Sequence, residues 1–155
     1  MEVLGMGLFF EDLPVGRCFK TFGRTVTEAD ITNFVNCVGM TEVLFTNVEY
    51  LKTQSEIGKR FAPGALTFSM AEGLLAVYSS QMTGEAFLGL ELKIDAPTYA
   101  GDTIHVETEI TESRQSRSKP HLGIVHSQNR VINQRQEVVM NYKAVRMIRV
   151  RGSEK

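Results

Sequence analysis

Eighteen consecutive residues from Phe61 to Tyr78, F-A-P-G-A-L-T-F-S-M-A-E-G-L-L-A-V-Y, carry a single charge, that of Glu72. A helix this apolar is stable only when most of its surface is covered, so the chain has to wrap one. The spacing predicts a helix from about Gly64 to Thr83, with Gly84 as its stop and Pro63 in an opening position where a missing N–H matters little. The first N–H groups of that helix have no partner within it, and they form a seat for a carbonyl oxygen. A carboxylate in its middle must be paired, protonated or exposed, because an unpaired buried charge is prohibitively costly.

What surrounds the helix follows from a change of period. Upstream, Cys18 to Val26 reads as a strand. Thr27 and Asp30 form a capping box with Asp in the place of Glu or Gln, ahead of a helical stripe of Ile31, Phe34, Val35 and Val38 that Gly39 ends. Thr46 or Asn47 caps a short helix through Tyr50 and Leu51, and a polar loop runs to Arg60. Downstream the period is 2: strands are expected at Phe87 to Ile94, Thr103 to Thr111, near Gly123 to Ile132, and Glu137 to Val150. Gly101-Asp102 is a turn and Asn133 to Gln136 a hairpin connection. The tail from Arg151 is expected to fray. One strand, a helical insert and four antiparallel strands describe an α+β domain, residues 1–155 as one unit, with an antiparallel sheet wrapped around one long helix.

Composition removes several functional classes. Of 155 residues 43% are hydrophobic and 23% charged, and the net charge is −1, which gives no electrostatic reason to expect nucleic acid or an anionic membrane as partner. The first residues lack a basic region and carry Glu2, Glu11 and Asp12, a poor signal peptide. Glu72 interrupts the best candidate for a spanning helix, so no membrane partner is expected. Two cysteines do not make a disulfide framework, and Cys37 reads as a small core residue on an apolar helix face. His105, His121 and His126 have no ligand-like spacing and read as surface residues, so no metal is expected. The expected setting is cytoplasmic.

Four segments in order, T-V-T-E-A-D-I-T-N-F from Thr25, F-A-P-G-A-L-T from Phe61, Y-A-G-D-T-I-H-V from Tyr99 and S-R-S-K-P-H-L-G-I-V from Ser116, resemble the MaoC-like hotdog family, which includes (R)-specific enoyl-CoA hydratases. The resemblance spans almost the whole chain. It implies a hotdog fold, an acyl-CoA thioester as ligand, no cofactor beyond the coenzyme A of that substrate, and a homodimer or higher homo-oligomer with the site between subunits. The family's hydratases have a Gly-Asp-x-Asn-Pro-x-His stretch after the opening helix. The matching residues here are Gly39-Met40-Thr41-Glu42-Val43-Leu44-Phe45, so Met40 stands at the carboxylate position and Phe45 at the imidazole position. Hydration needs a base for water and an acid for the α-carbon, and a thioether and a phenyl ring supply neither. Glu42 is a displaced substitute.

Another hotdog branch, the thioesterases, resembles this chain in a carboxylate two and a half turns into the central helix, where Glu72 stands. Gly64, Ala65 and Leu66 would offer N–H groups to a thioester oxygen, reinforced by the helix dipole, and Glu72 would act as base or nucleophile with its pKa raised by apolar surroundings. The equal alternative is that Glu72 points out of the helix at a subunit contact, salt-bridged to an arginine such as Arg130 or Arg146, both read at inward parity. Phe45 lines an acyl pocket or is ordinary core. Thr67 bonds the thioester carbonyl or its own helix turn. Arg114, Arg117 and Lys119 hold the coenzyme's phosphates or form a solvated loop. Three readings stay open: a divergent hydratase or dehydratase, a thioesterase, and a non-catalytic acyl-thioester-binding or partner subunit.

Overall fold

The computed structural model describes residues 3–153. The chain runs through β1 (Cys18–Lys20), β2 (Arg24–Thr25), α1 (Glu28–Val38), α2 (Val43–Thr46), α3 (Val48–Gln54), β3 (Phe61–Ala62), α4 (Gly64–Leu75), β4 (Gly84–Ile94), β5 (Thr98–Tyr99), β6 (Thr103–Gln115), β7 (Leu122–Ile132) and β8 (Val138–Arg149). The main sheet is antiparallel in the order β1-β6-β7-β8-β4, and β2 continues along β6 beyond β1. A small ribbon pairs β3 with β5. This is an α+β hotdog architecture, with α4 laid on the sheet's inner face.

Local chemistry sets these boundaries. Thr27 caps α1 in a full capping box with Asp30, and Gly39 ends it in the left-handed region at φ 70°. The Asn47 side chain caps α3 by accepting from the Tyr50 amide. On α4, Leu66, Met70, Ala71 and Leu75 are buried in one cluster with Ile104, Val106, Val131, Met140 and Tyr142 from the sheet. Each large side chain buried there contributes about 1.5–3 kcal/mol. Along β7, Val125, Ser127, Asn129 and Val131 turn inward at alternate positions.

The structure corrects several expectations. The first strand is two pieces, because Thr21 interrupts the ladder: its amide bonds the Val106 carbonyl and its hydroxyl accepts from the Val106 amide. The long helix is regular only to Leu75. It then widens into a π-turn at Ala76–Ser80, where the carbonyls of Ser79 and Gln81 accept from the amides of Leu8 and Gly7. One face of α4 is bare, and its residues there, Ala65, Ser69 and Gly73, are all small. Val38 and Cys37 lie on the solvent side of α1, since its contact with the core is filled by Ile31 and Val35, with Phe34 beside them. Arg130 points outward to Glu107, one residue out of phase with the buried positions of β7. Of the tail expected to fray, residues 154 and 155 lie outside the described residues. Among the described residues, no helix is long and apolar enough to cross a membrane.

Candidate functional site

At the entry of α4, Pro63 is buried and precedes the first helical residue. The first intrahelical bond is donated by Thr67 to the Pro63 carbonyl at 3.1 Å. Among the described residues, no protein acceptor takes the amides of Gly64, Ala65 or Leu66. Beside this end is a cavity of about 300 Å³ lined by Gly64, Thr67, Phe61, Ile94, Thr98 and Met140 among others. The Ile94 side chain lies so close to Gly64 that a Cβ on the glycine would meet its Cδ1 at 2.3 Å. Free helix-entry donors beside an apolar hollow are able to bind a carbonyl oxygen and shelter the chain attached to it.

Of the residues singled out in the sequence, Gly64 and Thr67 line this cavity. Ala65 is exposed and Leu66 is buried against the sheet. Phe45 stands one layer behind: its ring contacts Phe61 at 5.3 Å between centroids, and Phe61 is the one that lines the hollow. Arg60 fixes that layer, donating to the Phe45 carbonyl, to Glu28 at 3.0 Å and to Thr32 at 3.2 Å. Met40 packs against the same core. Glu42 precedes α2 on the exposed surface, and its side chain makes no capping bond.

Glu72 is eight residues along α4, about 12 Å from its entry, and it lines a separate groove of about 240 Å³ with Gly84, Phe87 and Arg146. Its Oε1 accepts from the Tyr142 hydroxyl at 2.7 Å and from Arg146 at 2.5 Å. The network continues across the sheet: Arg146 donates to Ser127 Oγ at 3.0 Å, Asn129 donates to the same oxygen at 3.0 Å, and Thr108 donates to Asn129 at 2.9 Å. The Arg146 guanidinium also covers the Phe87 ring at 5.1 Å. Burial, with the Glu72 carboxylate beside it, pushes the Tyr142 hydroxyl far above its ordinary pKa, so it stays protonated and donates. Of the two arginines named from the sequence, Arg146 is the partner and Arg130 is not.

Arg114, Arg117 and Lys119 lie at the β6–β7 hairpin, at the end of the sheet where Gly123 faces Ile148. The helix entry is at the other end, where Ile94 faces Met140 and Met140 faces Val131. Eight residues of strand separate Gly123 from Val131, about 27 Å, so one chain does not bring the basic hairpin to the cavity. Among the described residues, no three His, Cys, Asp or Glu side chains come together as a metal site.

Two features of the site were not read from the sequence: Thr98, and the wall formed by residues 94 to 98. Asp95 at this wall is occupied by Lys93 at 2.6 Å and Asn141 at 2.6 Å. The bond from Lys93, then that from Asn141, holds its carboxyl below the usual range.

Residues 14–142 match the family described as FAS1-like, dehydratase domain region. No curated protein matches the chain. Among solved structures it is similar to a MaoC-like dehydratase from Rhodospirillum rubrum, 31% identical with a TM-score of 0.82, over 95% of this chain and 100% of that one. It is similar also to a monoamine oxidase regulatory protein from Archaeoglobus fulgidus, 30% identical with a TM-score of 0.80, over 93% and 95%. A Mycobacterium tuberculosis protein with a double hotdog fold shares the fold at 20% identity and a TM-score of 0.85, over 96% of this chain and 46% of that one.

Proposed function

The chain belongs to the MaoC-like hotdog family, in its FAS1-like dehydratase region, and from that premise we propose that it binds an acyl-CoA thioester at the entry of α4 without the family's usual means of hydrating it. The observation that carries this reading is the cavity beside three unclaimed amides. The thioester oxygen would accept from the Gly64 end of the helix, and the acyl chain would lie along Phe61, Ile94 and Met140. Met40 and Phe45, at the hydratase positions, bring no proton donor or acceptor there. No cofactor is needed beyond the coenzyme A that the ligand carries, and a cytoplasmic setting suits such a ligand.

The partner in this reading is a second copy of the chain. Among the described residues β4 is an edge strand with no strand beyond it in the sheet, and Phe87, Leu88, Leu90 and Ile94 on it are each about half exposed. A long apolar edge of this kind calls for a cover. Antiparallel pairing of two β4 strands about a two-fold axis would set the Ile94 end of one against the Gly84 end of the other. The groove beside Glu72 of the partner subunit, and the partner's basic hairpin, would then approach the first subunit's cavity. Arg114, Arg117 and Lys119 would thus serve the coenzyme's phosphates across the dimer.

That arrangement favours a second reading, thioester hydrolysis. Among the described residues no protein donor reaches the Oε2 of Glu72, so this oxygen is available to a water or to the thioester carbon. Titration calorimetry with butanoyl-CoA tests the binding, and sedimentation tests the dimer. Binding, with neither loss of enoyl absorbance from crotonyl-CoA nor thiol release, supports the first reading. Thiol release that disappears in Glu72→Gln supports the second. Rapid hydration of crotonyl-CoA overturns the claim that the dyad is lost.

A further inference from the structure

The exit of α4 departs from a regular helix in three ways at one turn. The spacing predicts helix to Thr83, in which the Thr83 amide would bond the Ser79 carbonyl four residues back. Instead that carbonyl accepts from the Leu8 amide at 2.9 Å, and the Thr83 amide bonds Ser80 at 3.1 Å. Met82, which is not glycine, is held in the left-handed region at φ 62°. Among the described residues, the Thr83 hydroxyl is the only sealed-off side-chain oxygen without a hydrogen-bond partner, a costly state for a buried polar group. Residues 7 to 13 cross this turn. Gly7 donates to the Gln81 carbonyl at 2.8 Å. It packs so closely that a Cβ on it would stand 2.6 Å from the Gln81 nitrogen and 2.8 Å from the Thr83 hydroxyl. Leu8, Phe10 and Leu13 pack on Ile110, Val125 and Ile148. Arg151, beyond β8, clasps the segment: its amide bonds Glu11 at 3.1 Å, and its guanidinium bonds Asp12 at 2.5 Å and covers the Phe9 ring at 4.6 Å.

We propose that residues 7 to 13 are a releasable latch that holds the exit of α4 in its widened form, and that their release lets the helix continue to Thr83. On release the Ser79 carbonyl takes the Thr83 amide and Met82 returns to a helical φ. The Thr83 hydroxyl then bonds the same carbonyl, as the Ser79 hydroxyl already bonds that of Leu75 at 2.7 Å. Gly84 follows as the stop. Three things keep the latch closed at rest: the two bonds from Gly7 and Leu8, the packing of Leu8 to Leu13, and the bond from the Arg149 amide to the Thr83 carbonyl at 2.8 Å. Ser80 and Arg146 line both a small inner cavity of about 30 Å³ and the groove beside Glu72. The latch therefore sets the wall between these two hollows. It is independent of what the entry of α4 binds.

Native-state hydrogen exchange, followed by NMR on the full chain in low urea, tests the latch. The Gly7 and Leu8 amides are expected to exchange through an opening far less dependent on urea than that of the β7 amides. Arg151→Ala should speed their exchange about threefold. Thr83→Val, which removes the sealed hydroxyl at nearly constant volume, should slow it about fivefold. In Gly7→Ala the added Cβ forces the segment away, and the carbon shifts of Met82 should move from left-handed to helical values. Exchange of Leu8 with the same urea dependence as β7 overturns the latch, because the segment then opens only when the whole protein unfolds. Left-handed shifts for Met82 in a folded Gly7→Ala overturn the continuation of the helix. If Gly7→Ala fails to fold, the wild-type urea series and the other two variants still decide the proposal.

Discussion

The two ends of the central helix use polar groups in opposite ways. Toward its exit, Glu72, Arg146, Tyr142, Ser127, Asn129 and Thr108 form one chain of hydrogen bonds in which each side chain finds a partner. At its entry, three amides and two threonine hydroxyls lie beside a hollow with no protein partner among the described residues. A satisfied network inside a fold fixes one arrangement of the core. Unsatisfied groups facing a cavity are expensive to the fold and so point to a ligand. The contrast sets a network that holds the fold at the exit against the proposed binding site at the entry, and experiments can break that division.

The largest effect belongs to the exit. Arg146→Met leaves the Glu72 carboxylate with Tyr142 alone. It should cost about 2–3 kcal/mol in urea melts, less than a fully buried pair would, because the two side chains keep 18% and 23% exposure. Adding Glu72→Gln should recover part of the loss. A change below about 0.5 kcal/mol, the range of ordinary surface substitutions, would make the network dispensable and end the contrast.

At the entry the order of effects reverses. Gly64→Ala pushes the end of the half-exposed Ile94 side chain, which is able to move, so stability should change by no more than about 1 kcal/mol. Displaced Ile94 then crowds the cavity mouth, and butanoyl-CoA affinity should fall about tenfold, or about 1.4 kcal/mol. Smaller again is Tyr142→Phe, which removes one hydrogen bond to Glu72 at about 1 kcal/mol and should leave thioester affinity as it was.

Acid gives the smallest and most local effect. Burial alone would raise the Asp102 pKa, but bonds from Arg135, Gln134 and the Tyr99 amide outweigh it and hold the carboxyl below its usual range. Because the folded pKa is depressed, this stabilisation is fully present above the unfolded value of about 4 and is lost as pH falls through the folded value. Asp102→Asn should flatten the fall in melting temperature between about pH 4 and pH 2. An unchanged acid slope would exclude Asp102 as the group that loosens the β5 turn, on which Thr98 sits.

Much of the frame was legible because it rests on local signals. The capping box at Thr27, the stop at Gly39 and the change of period after Gly84 are each written within a few residues, and they gave the element order. Failures occurred where distant groups decide. Thr21 breaks the first strand because its hydroxyl reaches Val106, a contact no local pattern encodes. The facing of Arg130 depends on register, which a one-residue slip inverts. The helix entry could be located from Pro63-Gly64, since unpaired amides are a property of every helix start. Thr98 could not, because a two-residue strand pairing with Ala62 brings it there. The sequence allowed Glu72 as either a reactive carboxylate or an ion-paired one, and the side chain of Arg146, 74 residues away, makes it paired.

The uncovered row of β4 bears on how the protein would behave at low concentration. An edge whose amides and carbonyls face solvent beside half-exposed Phe87, Leu88 and Leu90 is a template for pairing with other chains. Dilution should lower the melting temperature if a second copy shields that row. A charge placed there, as in Leu88→Lys, should trade that concentration dependence for a solitary, less heat-resistant species.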